Sequence, residues 1–178
     1  LEIGAGTGNL TRILQKHAHQ VIAVEKDPLL ARYLTDEFKG KQNVTIIGAD
    51  FFQIRTPAFD KVVSSPPYYL SSKLLFQLLH EKFGLATMTL QKEFAQRLVA
   101  APGTKEYGRL TVMLQHRARA ELLDFVPRRA FRPIPKVDSF IVRILPLEQT
   151  SRQNDVLFEN VVRALFSQRR RVARTVLR

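Results

Sequence analysis

Residues 1–8 read LEIGAGTG, a short apolar stretch that runs directly into three closely spaced glycines. A strand followed by a glycine loop and an amphipathic stretch is typical of the first βα unit of a parallel sheet. Glycines in such a loop let the main chain turn sharply and let a ligand approach more closely than a Cβ atom would allow. The spacing is G-x-G-x-G and differs from the dinucleotide pattern G-x-G-x-x-G, so the loop alone leaves a plain tight turn open.

Short runs rich in Val and Ile alternate with amphipathic stretches along the rest of the chain, which predicts an α/β fold with a mostly parallel sheet. The predicted strands are Leu1–Ile3, Val21–Val24, Val44–Ile47, Lys61–Ser64, Ala86–Leu90, Arg109–Gln115 and Ser139–Leu145. The predicted helices are Leu10–His17, Pro28–Phe38, Ser71–Phe83, Lys92–Ala100 and Asp155–Leu177. Three prolines within residues 127–137 predict an extended loop there.

The composition is that of a water-soluble globular domain, with 45% apolar and 25% charged residues. The absence of cysteine excludes a disulfide framework, a thiolate zinc site and a catalytic thiol. The four histidines lack the spacing of metal ligands, so no metal site is predicted. No apolar run approaches the roughly 20 residues that a membrane helix needs, and we expect a monomeric, cytoplasmic protein without a membrane contact.

The net charge of +12 is concentrated near the C-terminus, because residues 128–178 carry twelve basic and four acidic side chains. Such a local positive field favours a polyanion such as nucleic acid or an anionic membrane surface, and a solvated basic face is the alternative. We expect a catalytic domain over residues 1–148 and the beginning of a basic helical domain over residues 149–178. The sequence starts without Met and stops inside a helical pattern. We therefore expect it to lack both ends of a longer chain.

Carboxylates follow the second and third predicted strands. Glu25 could accept hydrogen bonds from both hydroxyls of a ribose, which suits NAD and S-adenosylmethionine (AdoMet) equally. Asp50 could accept a hydrogen bond from the exocyclic amine of an adenine. The alternatives are a surface glutamate that caps the next helix and a turn-forming aspartate.

The fourth predicted strand runs into Ser65-Pro66-Pro67-Tyr68, a turn that suits amino-group methylation and has no use in nicotinamide chemistry. A ring-conjugated amine is a poor nucleophile, and acceptors on its N–H bonds can aim its lone pair at a methyl donor. The rigid Pro-Pro turn offers a main-chain carbonyl, and Ser65 Oγ could be the second acceptor. Tyr68 offers a face for base stacking, or is a core aromatic. Together the strand tips predict AdoMet-dependent methyl transfer.

With these residues in hand, the chain resembles the ribosomal RNA adenine N6,N6-dimethyltransferase family (KsgA type), most closely its archaeal branch. The resemblance extends beyond the cofactor motifs to LQKE at 90–93, RLVA at 97–100, PG at 102–103, YGRLTV at 107–112, AFRPIPKVDS at 130–139 and ALFSQRRR at 164–171. It implies a Rossmann-like AdoMet-dependent methyltransferase fold with the start of a helical C-terminal domain. It also implies dimethylation of two adjacent adenosines in the 3′-terminal hairpin loop of small-subunit rRNA, with the small ribosomal subunit as partner.

The resemblance assigns roles to individual residues. It places the target amine at Ser65, Pro66, Pro67 and Tyr68, with Phe131 on the other face of the flipped adenine. It places the cofactor against Glu2, Gly4, Gly6, Gly8, Glu25, Lys26, Asp50, Phe51 and Ser65. RNA contacts are expected at Arg132, Lys136, Arg169, Arg170 and Arg171, with a packing role for Phe131 and a solvated arginine run as alternatives.

The chain departs from the family pattern at residue 65, where the family usually has Asn followed by Leu-Pro-Tyr or Ile-Pro-Tyr. Serine keeps an acceptor oxygen but is shorter, so we expect a weaker or water-mediated grip on the amine. The family's N-terminal Gln-x-Phe-Leu segment and most of its helical C-terminal domain are also absent from the sequence. Ser-Pro-Pro-Tyr resembles the cytosine-N4 DNA methyltransferase motif as well. Methylation of DNA cytosine or adenine, or of a protein glutamine, stays open, as does an assembly factor with weak or no methyl transfer.

Overall fold

The computed structural model of the chain describes residues 1–147, 155–168 and 171–176. Its strands are β1 (Glu2–Ile3), β2 (Val21–Glu25), β3 (Val44–Gly48), β4 (Lys61–Ser64), β5 (Leu85–Gln91), β6 (Ala118–Val126) and β7 (Ser139–Pro146). Its α-helices are α1 (Asn9–His17), α2 (Pro28–Glu37), α3 (Ser71–Leu78), α4 (Lys92–Leu98), α5 (Arg109–Gln115), α6 (Asp155–Ser167) and α7 (Ala173–Val176). Short 3₁₀ turns over Phe51–Gln53, Tyr68–Leu70 and Arg128–Ala130 follow the tips of β3, β4 and β6.

The strands form one sheet in the order β3-β2-β1-β4-β5-β7-β6. The β1–β2, β2–β3 and β4–β5 pairs are parallel, whereas β7 runs antiparallel to both β5 and β6. Leu1 joins the two halves, because its N–H donates to Lys61 O at 2.8 Å and its carbonyl accepts from Val63 N at 2.9 Å. The predicted α/β fold with a mostly parallel sheet is confirmed. The strand order reverses between β1 and β4, which is where a sheet of this kind opens a crevice for a ligand.

Helices cover the sheet with apolar faces. α2 begins where the sequence predicts it, with Pro28 at its first position and the Asp27 carboxylate accepting from Leu29 N at 2.8 Å. Leu34 from this helix and Phe38, directly after its end, pack on the β2 side of the sheet in a small buried cluster. The main core surrounds β4, β5 and β7 and includes side chains that are fully enclosed: Val62, Leu74, Leu75, Leu78, Met88, Leu90, Leu98, Leu114, Val142 and Ile144. This packing holds the tips of β1 and β4 side by side.

The prediction of a strand over Arg109–Gln115 is wrong, because these residues form α5. Leu110, Met113 and Leu114 are buried, and their spacing is that of one helix face rather than of strand alternation. The start of the helix is held by Thr111, whose Oγ1 accepts from Gly108 N at 3.1 Å and donates to Arg97 O at 2.6 Å. Local β propensity was outweighed by packing against α4.

Two further corrections concern the C-terminal half. The strand β6 is absent from the prediction, because its alternation of inward and exposed residues covers only Ala118–Leu122 and is interrupted by a bulge between Leu122 and Asp124. The single helix predicted over Asp155–Leu177 is wrong, since α6 ends at Ser167 and Arg171 and Val172 are not helical before α7. The predicted domain boundary at 148–149 and residues Arg169 and Arg170 lie outside the described residues.

Across the described parts of the chain, no helix combines the length and the apolar character needed to cross a membrane. The same residues contain no cluster of three or more histidine, aspartate or glutamate side chains arranged to hold a metal ion.

Candidate active site

A cavity of about 890 Å³ opens at the carboxyl ends of the central strands. Its walls are the glycine loop after β1, the tips of β2 and β3, the turn after β4, and the proline-rich loop after β6. The predicted site residues from all four strand tips therefore meet in one space, as expected for a parallel sheet at its topological switch point.

The glycine loop presents its main chain to this cavity. Gly4 and Gly6 line it and have φ angles of +74° and +57°, in the left-handed region that side chains other than glycine adopt rarely. A Cβ atom on Gly6 would meet no heavy atom within 4 Å, so that space is left for a ligand. Gly8 has a different task, because its φ is +78° and a Cβ there would lie 2.7 Å from Leu34 Cδ2. It lets α1 approach α2 and does not line the cavity.

Glu2 is the second predicted cofactor residue that lies away from the cavity wall. Its side chain is 2% exposed, and Oε2 accepts a hydrogen bond from Thr11 Oγ1 at 2.6 Å. Burial raises the pKa of the Glu2 carboxyl to about 7, and the bond from Thr11 opposes that rise. The Glu2–Thr11 hydrogen bond therefore links β1 to α1, the two elements that flank the glycine loop.

Glu25, at the tip of β2, is oriented by the main chain around it. Oε2 accepts from Gly6 N at 2.7 Å, and Oε1 accepts from Asp27 N at 2.8 Å. A carboxylate offers about four lone-pair sites, so each oxygen keeps one for a further donor. The side chain lines the cavity while being only 8% exposed, which is the placement needed to bind a pair of vicinal hydroxyls.

Asp50, beyond the tip of β3, lines the cavity with both oxygens engaged. Oδ1 accepts from Phe52 N at 3.0 Å, and Oδ2 accepts from Lys26 Nζ at 2.8 Å. The Lys26 ammonium, and then the Phe52 N–H, hold the pKa of the Asp50 carboxyl below its ordinary value. Phe51 is 5% exposed and adds an apolar surface to the same end of the cavity.

The turn Ser65-Pro66-Pro67-Tyr68 lies against the glycine loop. The residue before it, Ser64, is buried and donates from Oγ to Ile3 O at 2.6 Å, which ties the tip of β4 to β1. A Cβ atom placed on Gly4 would lie 3.5 Å from Pro67 Cδ, so a side chain there would contact the turn. All four turn residues line the cavity, with Ser65 exposed and Pro66 buried.

Tyr68 and Phe131 both line the cavity and contact each other through their rings. Their ring centroids are 6.4 Å apart and their planes are inclined by 74°, an edge-to-face arrangement. The Tyr68 hydroxyl forms a 2.7 Å hydrogen bond with Ser139 Oγ at the start of β7. The extended loop predicted over residues 127–137 is irregular instead, because a 3₁₀ turn over Arg128–Ala130 and bends from Phe131 onward interrupt it.

The basic residues expected to bind RNA do not gather in the cavity as most of the cofactor residues do. Arg132 lines the cavity, and its guanidinium donates to Arg129 O and Phe131 O, each at 3.0 Å. Lys136 and Arg171 are exposed and lie outside the cavity lining. Their roles stay predictions.

Tyr69 and Ser139 are among the residues that sequence reasoning missed. Tyr69 is 83% exposed at the cavity rim, and the motif offered no means to separate it from Tyr68. Ser139 lies within the quoted block at 130–139, but its contact with Tyr68 spans 71 residues of sequence and depends on the strand order.

Comparison with known proteins identifies relatives over the whole chain. The family model described as "Ribosomal RNA adenine dimethylase" matches residues 1–178. A protein of Methanosarcina barkeri named "Probable ribosomal RNA small subunit methyltransferase A" is 45% identical over 178 residues, covering 99% of this chain and 62% of that protein. A protein of the same name from Methanosarcina mazei is 44% identical, with 99% and 66% covered. The chain thus spans a little under two thirds of the length of these relatives.

Solved structures agree with the sequence relatives. The crystal structure of a dimethyladenosine transferase from Plasmodium falciparum superposes with a TM-score of 0.90 at 33% identity, covering 99% of this chain and 66% of that one. The 23S rRNA methyltransferase ErmE superposes with a TM-score of 0.78, also at 33% identity, covering 99% and 73%. The fold is therefore the Rossmann-like fold of AdoMet-dependent methyltransferases, and the chain belongs to the ribosomal RNA adenine dimethylase family.

Proposed function

We propose that this protein transfers methyl groups from AdoMet to N6 of two adjacent adenosines in the 3′-terminal hairpin loop of small-subunit rRNA, within the small ribosomal subunit. The observation that carries the proposal is that the carboxylate of Glu25 and the Ser65–Tyr68 turn line the same cavity. The relatives at 44–45% identity are named small-subunit methyltransferases, and this favours small-subunit RNA over the 23S RNA named for ErmE.

The residues at one end of the cavity fit a nucleoside-bearing cofactor. The open space over Gly6 admits a ligand close to the main chain, and the fixed Glu25 oxygens suit the two hydroxyls of a ribose. Asp50 suits the adenine amine and Phe51 the adenine ring, because each Asp50 oxygen accepts one hydrogen bond and keeps a lone pair for a further donor. AdoMet supplies an electrophilic methyl group on a sulfonium centre.

The residues at the other end fit a flipped base. Tyr68 and Phe131 supply two aromatic rings that could stack on a base once their edge-to-face contact opens, and single-stranded loop bases cost only a few kcal/mol to unstack. Pro67 O already accepts from Leu70 N at 2.9 Å, so we assign the main-chain acceptor for the target amine to Pro66 O. That carbonyl and Ser65 Oγ would take the two N–H bonds and direct the nitrogen lone pair at the methyl group. The product amine is acidic and releases its proton to water, so no side chain is assigned as a general base.

Residue 65 governs how firmly the amine is held. Ser65 is exposed at the cavity and its hydroxyl is shorter than the amide usual in the family, so we propose that it holds the amine through a water molecule or at longer range. The variant Ser65→Asn is expected to raise the methylation rate while leaving RNA binding unchanged. An unchanged rate would show that the serine hydroxyl is an equally effective acceptor.

RNA is expected to lie across the basic C-terminal region, including Arg132, Lys136 and the run 169–171. Each phosphate contact contributes about 0.9 to the slope of log K against log salt for a duplex, and somewhat less for a single strand. Replacing Arg169, Arg170 and Arg171 with Ala should weaken RNA binding and flatten that slope by up to about three contacts. An unchanged slope would show that the run is a solvated face.

The proposal is tested by incubating the protein with labelled AdoMet and small ribosomal subunits that lack methylation near the rRNA 3′ end. Nucleoside analysis should yield N6,N6-dimethyladenosine at two adjacent positions. Parallel incubations contain 23S rRNA, duplex and single-stranded DNA, and ribosomal protein. Transfer to any of these in preference to the small subunit would refute the RNA target, and tight subunit binding without transfer would favour the assembly-factor alternative.

A further inference from the structure

We infer that Asp138 and Ser139, at the start of β7, set the relative positions of the two aromatic rings that receive the target base. This inference rests on the proposed function. Neither residue lines the cavity, so both would act as positioning residues through Tyr68 and Phe131. The inference accounts for the last two residues of the block at 130–139, to which the chemistry of the site assigns no role.

Ser139 fixes the first ring. It is completely buried, and its main chain belongs to a strand that pairs with Gln91 on β5 and with Val126 on β6. Its Oγ lies 2.7 Å from the Tyr68 hydroxyl. Tyr68 is therefore held at both ends, by the 3₁₀ turn at its Cα and by the sheet at its hydroxyl. Its ring is the fixed member of the ring pair.

Asp138 fixes the base of the loop that carries the second ring. Its Oδ1 accepts from Arg128 N at 2.9 Å, and its carbonyl accepts from Lys92 N at 2.9 Å, directly after β5. The 3₁₀ turn that begins at Arg128 leads to Phe131, whose N–H donates to Arg128 O at 3.2 Å. Two neighbouring residues, the first residue of β7 and the one just before it, thus hold the attachments of both rings.

The arrangement of the two rings shows that one of them must turn before a base can bind between them. A base between two faces needs parallel rings separated by two van der Waals contacts, about 7 Å in total. Tyr68 and Phe131 are 6.4 Å apart and inclined by 74°, so the edge of one ring occupies the space of the base. Because Tyr68 is held by Ser139, we assign the turning motion to Phe131, pivoting on the turn that Asp138 anchors.

The role of Ser139 is tested with Tyr68→Phe, Ser139→Ala and the double variant, in methylation of unmethylated small subunits. Each single variant should lower kcat about tenfold, because the loss of one orienting hydrogen bond lets the base lie off the line of attack. The double variant should be no slower than either single variant, since both remove the same bond. Ser139→Thr keeps the hydroxyl and should restore most of the rate. AdoMet binding, measured by calorimetry, should be unchanged throughout.

A matched control separates positioning from stability. Ser71 is also buried at 2% exposure, close to the same turn, but its Oγ has no hydrogen-bond partner among the described residues. Ser71→Ala should leave kcat unchanged. Thermal unfolding of every variant is measured alongside, and a loss of kcat that follows the loss of Tm in all of them would overturn the inference, as would additive effects in the double variant.

Asp138 is tested in the same assay with a different expected signature. Asp138→Ala removes the hydrogen bond that holds the 3₁₀ turn at Arg128. It should raise KM for the subunit several-fold more than it lowers kcat, because the loop that carries Phe131 is no longer anchored. Asp138→Asn keeps an oxygen acceptor and should stay near the wild-type values. Equal effects of both variants would show that the hydrogen bond from Arg128 N to Asp138 does not anchor the loop that carries Phe131. If the wild-type protein transfers no methyl group to adenosine, the proposed function fails and this inference fails with it.

Discussion

The buried carboxylate beneath the glycine loop should make the protein less stable as the pH rises through neutrality. Glu2 is 2% exposed, and burial raises the pKa of its carboxyl from 4.5 to about 7. Between those values the folded state binds more protons than the unfolded state, so the free energy of unfolding falls with increasing pH. The contribution of Glu2 is fully present below about pH 4.5 and is lost as the pH passes 7.

The size of the loss follows from the shift of about 2.5 pH units. At about 1.4 kcal/mol for each unit, Glu2 should cost about 3 kcal/mol of stability at pH 8 relative to pH 4. Glu2→Gln removes the titration and keeps the shape of the side chain and an acceptor for Thr11. The variant should be about as stable as the wild type at pH 4.5 and up to about 3 kcal/mol more stable at pH 8.

The assay is urea unfolding followed by far-UV circular dichroism from pH 4.5 to 8.5, since the chain has no tryptophan. The quantity compared is the difference in free energy of unfolding between wild type and variant, which cancels the titration of all other groups. Thr11→Val is the second variant. It removes the donor at 2.6 Å that lowers the pKa of Glu2, and it should move the transition to higher pH. A difference that is independent of pH would refute the reasoning, because it would mean that Glu2 titrates normally.

Three more predictions follow from individual contacts. Lys26→Met should tighten AdoMet binding about two- to fivefold, because the Lys26 ammonium no longer competes with the adenine amine for the Asp50 carboxylate. Weaker binding, measured by calorimetry, would mean that Lys26 contacts the cofactor. Gly8→Ala should lower the free energy of unfolding by about 1–3 kcal/mol, through its φ of +78° and the 2.7 Å approach to Leu34, and urea denaturation would show it. Arg117→Ala removes the ion pair between Arg117 and Asp155 on α6, whose atoms are 3.0 Å apart. Amide hydrogen exchange should become about tenfold faster in α6 and stay unchanged in β5. Equally faster exchange in both elements would indicate global destabilisation.

The candidate site could be predicted largely from local patterns. Glycines after a strand, a carboxylate at the tip of the next strand and a Pro-Pro-Tyr turn each have a chemical meaning that is independent of the rest of the chain. Parallel strands bring their carboxyl ends to one edge, so Gly4, Glu25, Asp50 and Tyr68 could be expected to meet. The structure brings all four to the same cavity.

Other features could not be read locally. Arg109–Gln115 carries residues that suit a strand, yet it forms α5, because burial of Leu110 and Leu114 against the core outweighs propensity. Glu2 and Gly8 belong to the motif by spacing, but only the Thr11–Glu2 hydrogen bond and the close approach of Gly8 to Leu34 show that they support the loop from outside the cavity.

The sequence by itself determined the α/β class, the order of the chemical groups along the chain and the family. The tertiary structure decided which of those groups touch one another. The contact between Tyr68 and Ser139 spans 71 residues and exists because β7 inserts antiparallel between β5 and β6, a pairing that no local pattern encodes. The physical reason is that strand order and burial are settled by the free energy of the whole core, whereas motifs are settled by the few residues that form a turn.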